Sequence, residues 1–253
     1  MTKGIILDKK KEKIQSFVLK HEQSDGGFSF AETTPATLED TFYALGILHL
    51  LNIQYSNIKT EKFIISLQKI GKIRHLFQII FISKTYNIKI PWLNKAIQNF
   101  PFDAIHDSES MYYASKIVEL LHNKKLAITL KKNLHKISMK EHLLSELCWK
   151  AVSHNKLGVH FDMAAVAKRI KQFQACDGGF SFTKGGAPSF IEETYLAVES
   201  LSELGYKPED TQACISLTQF CRSNKGGYGR QITTVPSLEA TYCAVGILKI
   251  LSC

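Results

Sequence analysis

The chain has 253 residues, of which 45% are hydrophobic and 22% charged, as in ordinary globular proteins and unlike disordered or fibrous ones. At this length a core buries roughly 70–75% of the surface that an unfolded chain exposes, so neither disulfides nor a structural metal is required. The formal net charge is +9, and residues 71–140 hold twelve Lys or Arg against four Asp or Glu, so most of the excess lies mid-chain.

Taken in chain order, the sequence falls into six pairs of helices. The first member of each pair is expected near 9–23, 61–70, 92–100, 124–140, 163–175 and 208–222, and the second near 38–51, 73–86, 108–122, 142–156, 191–204 and 238–251. In the first pair, Asp25-Gly26-Gly27-Phe28-Ser29-Phe30 and a proline loop lead into Thr37-Leu38-Glu39-Asp40-Thr41-Phe42-Tyr43-Ala44. The helix over 73–86 is apolar and lacks that motif. Ser108-Glu109-Ser110-Met111-Tyr112-Tyr113-Ala114 is a decayed copy, and Ser145-Glu146-Leu147-Cys148-Trp149 a fainter one. The full pattern returns as Asp177-Gly178-Gly179-Phe180-Ser181-Phe182 ahead of Ser189-Phe190-Ile191-Glu192-Glu193-Thr194-Tyr195. A looser copy, Lys225-Gly226-Gly227-Tyr228, lies 48 residues after the preceding one and leads into Ser237-Leu238-Glu239-Ala240-Thr241-Tyr242.

The two helix sets differ in polarity. Over 124–140, Leu126, Leu130, Leu134 and Ile137 form one stripe and Lys125, Lys132, Lys136 and Lys140 the opposite one, as on a surface helix. Segments 38–51 and 191–204 are apolar or aromatic around much of their circumference, as buried helices are. No alternating β-branched runs bounded by hairpin dipeptides occur. The expectation is an all-α domain spanning 1–253, with an inner ring of helices sheathed by an outer ring. The glycine pairs supply left-handed backbone where each outer helix turns back, with Phe28, Phe180 and Tyr228 wedged between hairpins. Thr37, Ser189 and Ser237 are the expected N-caps.

The pattern Gln-x(2)-Asp-Gly-Gly-Phe, a proline loop, then Glu-x-Thr-Tyr-x-Ala resembles the repeat of protein prenyltransferase β subunits and of the squalene and terpene cyclases. The resemblance implies an α/α toroid of six hairpins, in agreement with the independent count of pairs, and an apolar cavity for isoprenoid chains. It also implies positions for the family chemistry. The zinc ligands of the prenyltransferases, an Asp, a Cys and a His, fall on Glu192, Thr194 and Glu239, and the diphosphate-binding Arg and Lys fall on Gly186 and Ser189. Only the neighbouring Tyr, at Tyr195, is retained. Thr194 with two glutamates is a poor zinc site, so zinc is not expected. The proton-donating Asp-x-Asp-Asp-Thr of class II cyclases corresponds to Thr37-Leu38-Glu39-Asp40-Thr41, which makes Glu39 and Asp40 candidate acids.

The first-turn carboxylates Glu39, Asp40, Glu109, Glu192, Glu193 and Glu239 are expected to converge on one rim, Glu192 and Glu239 being further catalytic candidates. At least one of them should carry a raised pKa or recruit a cation. No cofactor is expected, and magnesium is the metal such a rim is able to take. Phe42, Tyr43, Tyr112, Tyr113, Trp149, Tyr195 and Tyr242 are the expected cavity residues. The functional expectation is an isoprenoid-handling, prenyltransferase- or terpene-cyclase-like protein without the usual zinc and diphosphate residues. A non-catalytic toroid acting as binder or scaffold is the alternative. An apolar small molecule is the expected ligand, and the basic 71–140 surface marks a place for a helical protein partner. The lysine face of 124–140 lacks a recognised nucleic-acid module, so no nucleic-acid partner is expected. Six cysteines without a Cys-x-x-Cys pair, an N-terminus unlike a secretory signal and no apolar run near the ~20 residues of a membrane span lead to a cytoplasmic expectation.

Overall fold

The computed structural model describes residues 2–31, 33–68, 70–137 and 142–252, with side chains from residue 10 onward. Among the described residues there are twelve α-helices: α1 (Thr2–Leu19), α2 (Leu38–Leu50), α3 (Ile58–Ser66), α4 (Ile73–Tyr86), α5 (Leu93–Asn99), α6 (Ser108–Leu121), α7 (Lys124–Leu134), α8 (Leu144–Leu157), α9 (Met163–Lys171), α10 (Ile191–Glu203), α11 (Thr211–Phe220) and α12 (Leu238–Leu251). Each even-numbered helix packs on the next, α2 on α4, α4 on α6, α6 on α8, α8 on α10, α10 on α12, and α12 closes on α2. The odd-numbered helices lie outside this ring: α7 lies against α6 and α8, α9 against α8 and α10, α11 against α12 and α1 against α2. The structure is therefore an α/α toroid of six hairpins.

The inner helices follow the expected bounds to within two residues, because burial on every side fixes where an apolar segment must start and stop. In α2, eight consecutive residues from Thr41 to Leu48 are buried. Helix α1 starts seven residues before the expected segment and ends four before its end, while the other outer helices are shorter than expected. Helix α9 ends at Lys171 rather than near 175 and α11 at Phe220 rather than 222, because the residues before each glycine pair form turns. The expected 92–100 helix reduces to α5 and a 3₁₀ turn at Phe102–Ala104, and α3 is displaced toward the N-terminus by its Asn57 cap. Helix α7 keeps its one-sided character, with Leu126, Leu130 and Leu134 buried and Lys125, Lys132 and Lys136 exposed; Lys140 lies outside the described residues.

The repeated motif is a clamp between neighbouring hairpins. The backbone N–H of Phe28, Phe180 and Tyr228 each donates to the hydroxyl of Thr41, Thr194 or Thr241, 2.9 Å away in all three copies. The same hydroxyls donate one turn back to the carbonyls of Thr37, Phe190 and Ser237. The first aromatic residue of each full copy, Phe28 or Phe180, is completely buried, and Tyr228 nearly so. Short antiparallel bridges pin each aromatic residue to the start of its inner helix, and in the last copy they lengthen into the strand pair β1 (Tyr228–Gly229) and β2 (Pro236–Ser237).

The first glycine of each pair has positive φ and touches the outer helix of a different hairpin. A Cβ on Gly26 would lie 2.4 Å from Lys59 and Thr60 of α3, and one on Gly178 would lie 2.4 Å from Ala213 of α11. Gly226 meets the Lys13 carbonyl oxygen of α1, so the sixth repeat closes the ring onto the first helix. Thr37 and Ser237 cap their helices as expected. Ser189 does not: its hydroxyl donates to Asp177 at 2.6 Å, and the cap position passes to Phe190, whose extended backbone already pairs with Phe180.

Gly226→Ala, at φ +108 with its Cβ 2.3 Å from the Lys13 oxygen, is expected to cost about 1–3 kcal/mol or more in urea denaturation. Gly71→Ala, where a Cβ meets nothing within 4 Å, serves as the neutral comparison. Thr194→Val leaves the buried Phe180 N–H without its acceptor and is expected to cost about 1–3 kcal/mol, with Thr194→Ser losing less.

Candidate functional site

The ring encloses a cavity of about 360 Å³ to which all six inner helices contribute. Its layers follow helical spacing. Glu39, Glu109, Glu192 and Glu239 occupy the second residue of α2, α6, α10 and α12, and Arg74 takes that place on α4. Three and four residues on come Phe42 and Tyr43, Phe77 and Gln78, Tyr112 and Tyr113, Tyr195 and Leu196, Tyr242 and Cys243, all of them on the cavity wall. Trp149 completes this layer from α8. All seven aromatic residues singled out in the sequence thus face one space. Phe77 and the loop residue Phe182 join them.

Seven residues after the first-turn position stand Gly46, Lys116, Glu199 and Gly246. The two glycines admit neighbouring rings: a Cβ on Gly46 would lie 2.6 Å from Tyr242, and one on Gly246 would lie 2.5 Å from Tyr195. At the two other positions a cation and an anion meet. The Lys116 ammonium lies 2.7 Å from Glu199, reaching from α6 to α10 past α8, and donates to the Tyr112 hydroxyl at 2.7 Å. Tyr112 donates in turn to Glu199 at 2.5 Å, and Tyr195 does so at 3.1 Å. Burial alone would raise the Glu199 carboxyl, but the Lys116 charge and the hydrogen bonds from Lys116, Tyr112 and Tyr195 outweigh it and hold the pKa below its ordinary value. Burial keeps Tyr112 and Tyr195 protonated far above the usual phenol range. The pair forms a charged floor beneath the aromatic layer.

At the rim, Arg74 donates to the Tyr43 hydroxyl at 2.6 Å and lies 3.6 Å from Glu39 and 3.7 Å from Glu239. Tyr43 donates to Glu239 at 2.6 Å, and His75 sits 3.9 Å from Glu39. On the opposite side Arg230 lies 3.2 Å from Glu192 and stacks over Phe190. Burial pushes the Glu192 carboxyl up to about 7 against the pull of Arg230, with Glu193 and Glu239 adding to the rise. Burial raises Glu193 as well.

The structure does not gather every candidate. Glu192, Glu193, Glu109 and Glu239 line the cavity, whereas Glu39 and Asp40 lie outside its lining. Asp40 accepts from the Thr37 hydroxyl at 2.8 Å while its own N–H donates back to that hydroxyl, the geometry of a helix cap. The zinc positions do not fit zinc either. Thr194 is fully buried with its hydroxyl engaged in the repeat clamp, and Glu239 is held by Tyr43. Among the described residues no group of three or more His, Cys, Asp or Glu is placed to hold a metal ion. Sequence reasoning missed Arg74, Gln78, Lys116 and Glu199. The register carried a signal for the last two: charged residues mid-helix, at the position where the first and last repeats keep glycine.

A family model of the prenyltransferase alpha-alpha toroid domain matches residues 2–205 and 129–253. The chain belongs to that family. No curated protein shows a significant match to it. Among the described residues no helix is long and apolar enough to cross a membrane.

Lys116 and Glu199 are only 15% and 13% exposed at their side chains, so Lys116→Met leaves a carboxylate buried without its cation. A loss of about 3–5 kcal/mol is expected in urea denaturation, with part of it restored when Glu199→Leu is added. The two glutamates also shape stability with pH in opposite senses. Glu199, depressed on folding, stabilises above its unfolded value and loses that contribution as pH falls through the folded value. Glu192, raised on folding, binds its proton preferentially in the native state, so its contribution grows as pH falls from about 7 toward the unfolded value of 4.5. Glu192→Gln is therefore expected to raise the melting temperature at pH 8 and to flatten the stability profile between those limits.

Proposed function

We propose that the lumen binds a short isoprenoid chain and that the protein is an isoprenoid-handling member of its family. The observation that carries this reading is the convergence of seven sequence-selected aromatic residues, with Phe77 and Phe182, on one 360 Å³ space. That volume lies near the small end of the roughly 300–1,000 Å³ range of small-molecule sites. Ring faces suit unsaturated hydrocarbon and any positive charge that develops on it.

Zinc-activated thiol chemistry has no support here, because Thr194 and Ser189 spend their hydroxyls on the fold. For acid-initiated chemistry the best-supported donor is Glu192 rather than Glu39 or Asp40, since it lines the cavity and titrates near neutral pH. A second reading, a toroid that binds without catalysing, is favoured by the internal pairing of Lys116 and Arg74. The lysine face of α7 is the surface on which either reading would seat an acidic helical partner.

Tryptophan emission tests the binding reading. Trp149 lines the cavity, whereas Trp92 lies outside it and donates to the Ile65 carbonyl. In a Trp92→Phe variant, geraniol and farnesol are expected to shift Trp149 emission saturably, and Tyr242→Ala to weaken the response. An unchanged spectrum up to the solubility limit of both alcohols would overturn the reading. Turnover of a bound isoprenoid that Glu192→Gln abolishes without lowering stability would decide for catalysis over binding alone.

A further inference from the structure

Two buried polar atoms on the lumen wall lack hydrogen-bond partners, and both are acceptors. Gln78, 1% exposed, lines the cavity from α4 with its Oε1 unpaired. Glu193 lines it from α10, and its Oε2 is buried and unpaired. The other buried side-chain atoms without partners, Ser200 Oγ and Arg222 Nε, are not part of this lining. Among the described residues, then, both fully buried lumen atoms left without a partner are acceptors.

The charges point the same way. Glu109, Glu192, Glu193 and Glu239 line the cavity against Arg74 and Lys116, an acidic balance inside a chain of net charge +9. Both cations are engaged, Lys116 by Glu199 and Tyr112, Arg74 by Tyr43, Glu39 and Glu239. An anionic head would meet this acidic wall with no free cation to receive it. A neutral hydrocarbon would leave both acceptors dry. A positive head bearing N–H groups answers both conditions, and the rings already accept cations: Lys116 lies 4.5 Å from the Tyr112 centroid and 5.6 Å from that of Phe77.

We propose that the lumen is selective for a primary alkylammonium, its apolar chain against the aromatic wall and its ammonium donating to the unpaired acceptors. The proposal rests on the reading of the lumen as an apolar binding site and adds the sign and hydrogen-bonding sense of the ligand's head. The ammonium, with a pKa near ~10.4, keeps its charge while Glu192, which faces Arg230, Glu193 and Glu239, ionises near 7. Affinity for the amine should therefore rise between about pH 6 and about pH 8.

The test compares decylamine, 1-decanol and decyl phosphate below their micellar concentrations, by calorimetry and by Trp149 emission in the Trp92→Phe variant. The amine is expected to bind about tenfold or more tightly than the alcohol at pH 8. Decyl phosphate should bind least, and Glu193→Gln should reduce the preference for the amine over decanol. Equal binding of amine and alcohol would overturn the proposal and leave the apolar-lumen reading standing. Tighter binding of decyl phosphate would overturn it in favour of an anion site. Binding of none of the three would overturn both readings. Gln78→Leu, which removes the second acceptor at similar volume, should reduce the amine preference again, and a preference unmoved by both substitutions would also overturn the assignment.

Discussion

A closed ring of six parallel helices encloses space along its axis, and every inner helix must present side chains to that space at helical spacing. The rest of the structure follows from this constraint. Positions in the first turn, three and four residues later and seven residues later form three layers, and each layer is solved differently. The top layer is charged because it opens to water: Glu39 and Glu239 are about half exposed. The middle layer is aromatic because large rings span a wide gap with few rotatable bonds. The bottom layer is closed by glycines that admit tyrosines from adjacent helices and by the Lys116–Glu199 pair.

The pair at the bottom constrains what the cavity can hold. An ion pair so deeply buried repays its desolvation only with close geometry and further hydrogen bonds. Here Tyr112 and Tyr195 supply them, so two wall aromatics are fixed by their hydroxyls as well as by packing. The same tyrosines line the lumen. Wall and floor are therefore one unit, and loss of the lysine should loosen the aromatic surface along with the fold. One turn beyond this floor, toward the C-terminal ends of the inner helices, Lys156 joins Glu119 of α6 and Glu203 of α10 at 2.7 and 2.8 Å, and ties three neighbouring inner helices together.

Much of the fold was legible because the repeat motif states its own mechanics. A Gly-Gly turn, a buried aromatic and a Thr in the first turn of the next helix are the parts of one clamp, and three copies of it imply a ring. The inner helices could be placed closely since burial sharpens their ends. The outer helices could not, because exposed ends are set by local caps such as Asn57 and by turns such as that before Gly178. The aromatic wall was legible through its spacing. The floor was hidden by reading each helix for average polarity, which conceals one inward Lys mid-way along α6 and one inward Glu mid-way along α10. The match of Glu39 and Asp40 to an acid motif coincides with ordinary first-turn chemistry. The capping bond between Thr37 and Asp40 shows which of the two meanings the structure uses at Asp40.

The remaining question about the lumen is why it should be acidic in a basic protein. Helix N-termini favour carboxylates, and a parallel inner ring gathers its N-termini at one mouth, so some acid there follows from the fold alone. That explanation covers single first-turn glutamates such as Glu109. It does not cover two adjacent carboxylates on α10, both raised by burial, one with an oxygen left unpaired. Helix stability would be served as well by one of them. Replacing Glu193 alone by Gln separates the two accounts: a residue kept for the helix should lower stability when neutralised, by about 0.3–1 kcal/mol. A residue kept for a ligand should leave stability unchanged or improved, since the substitution removes a poorly paired buried charge, and should reveal its loss only when the lumen is filled.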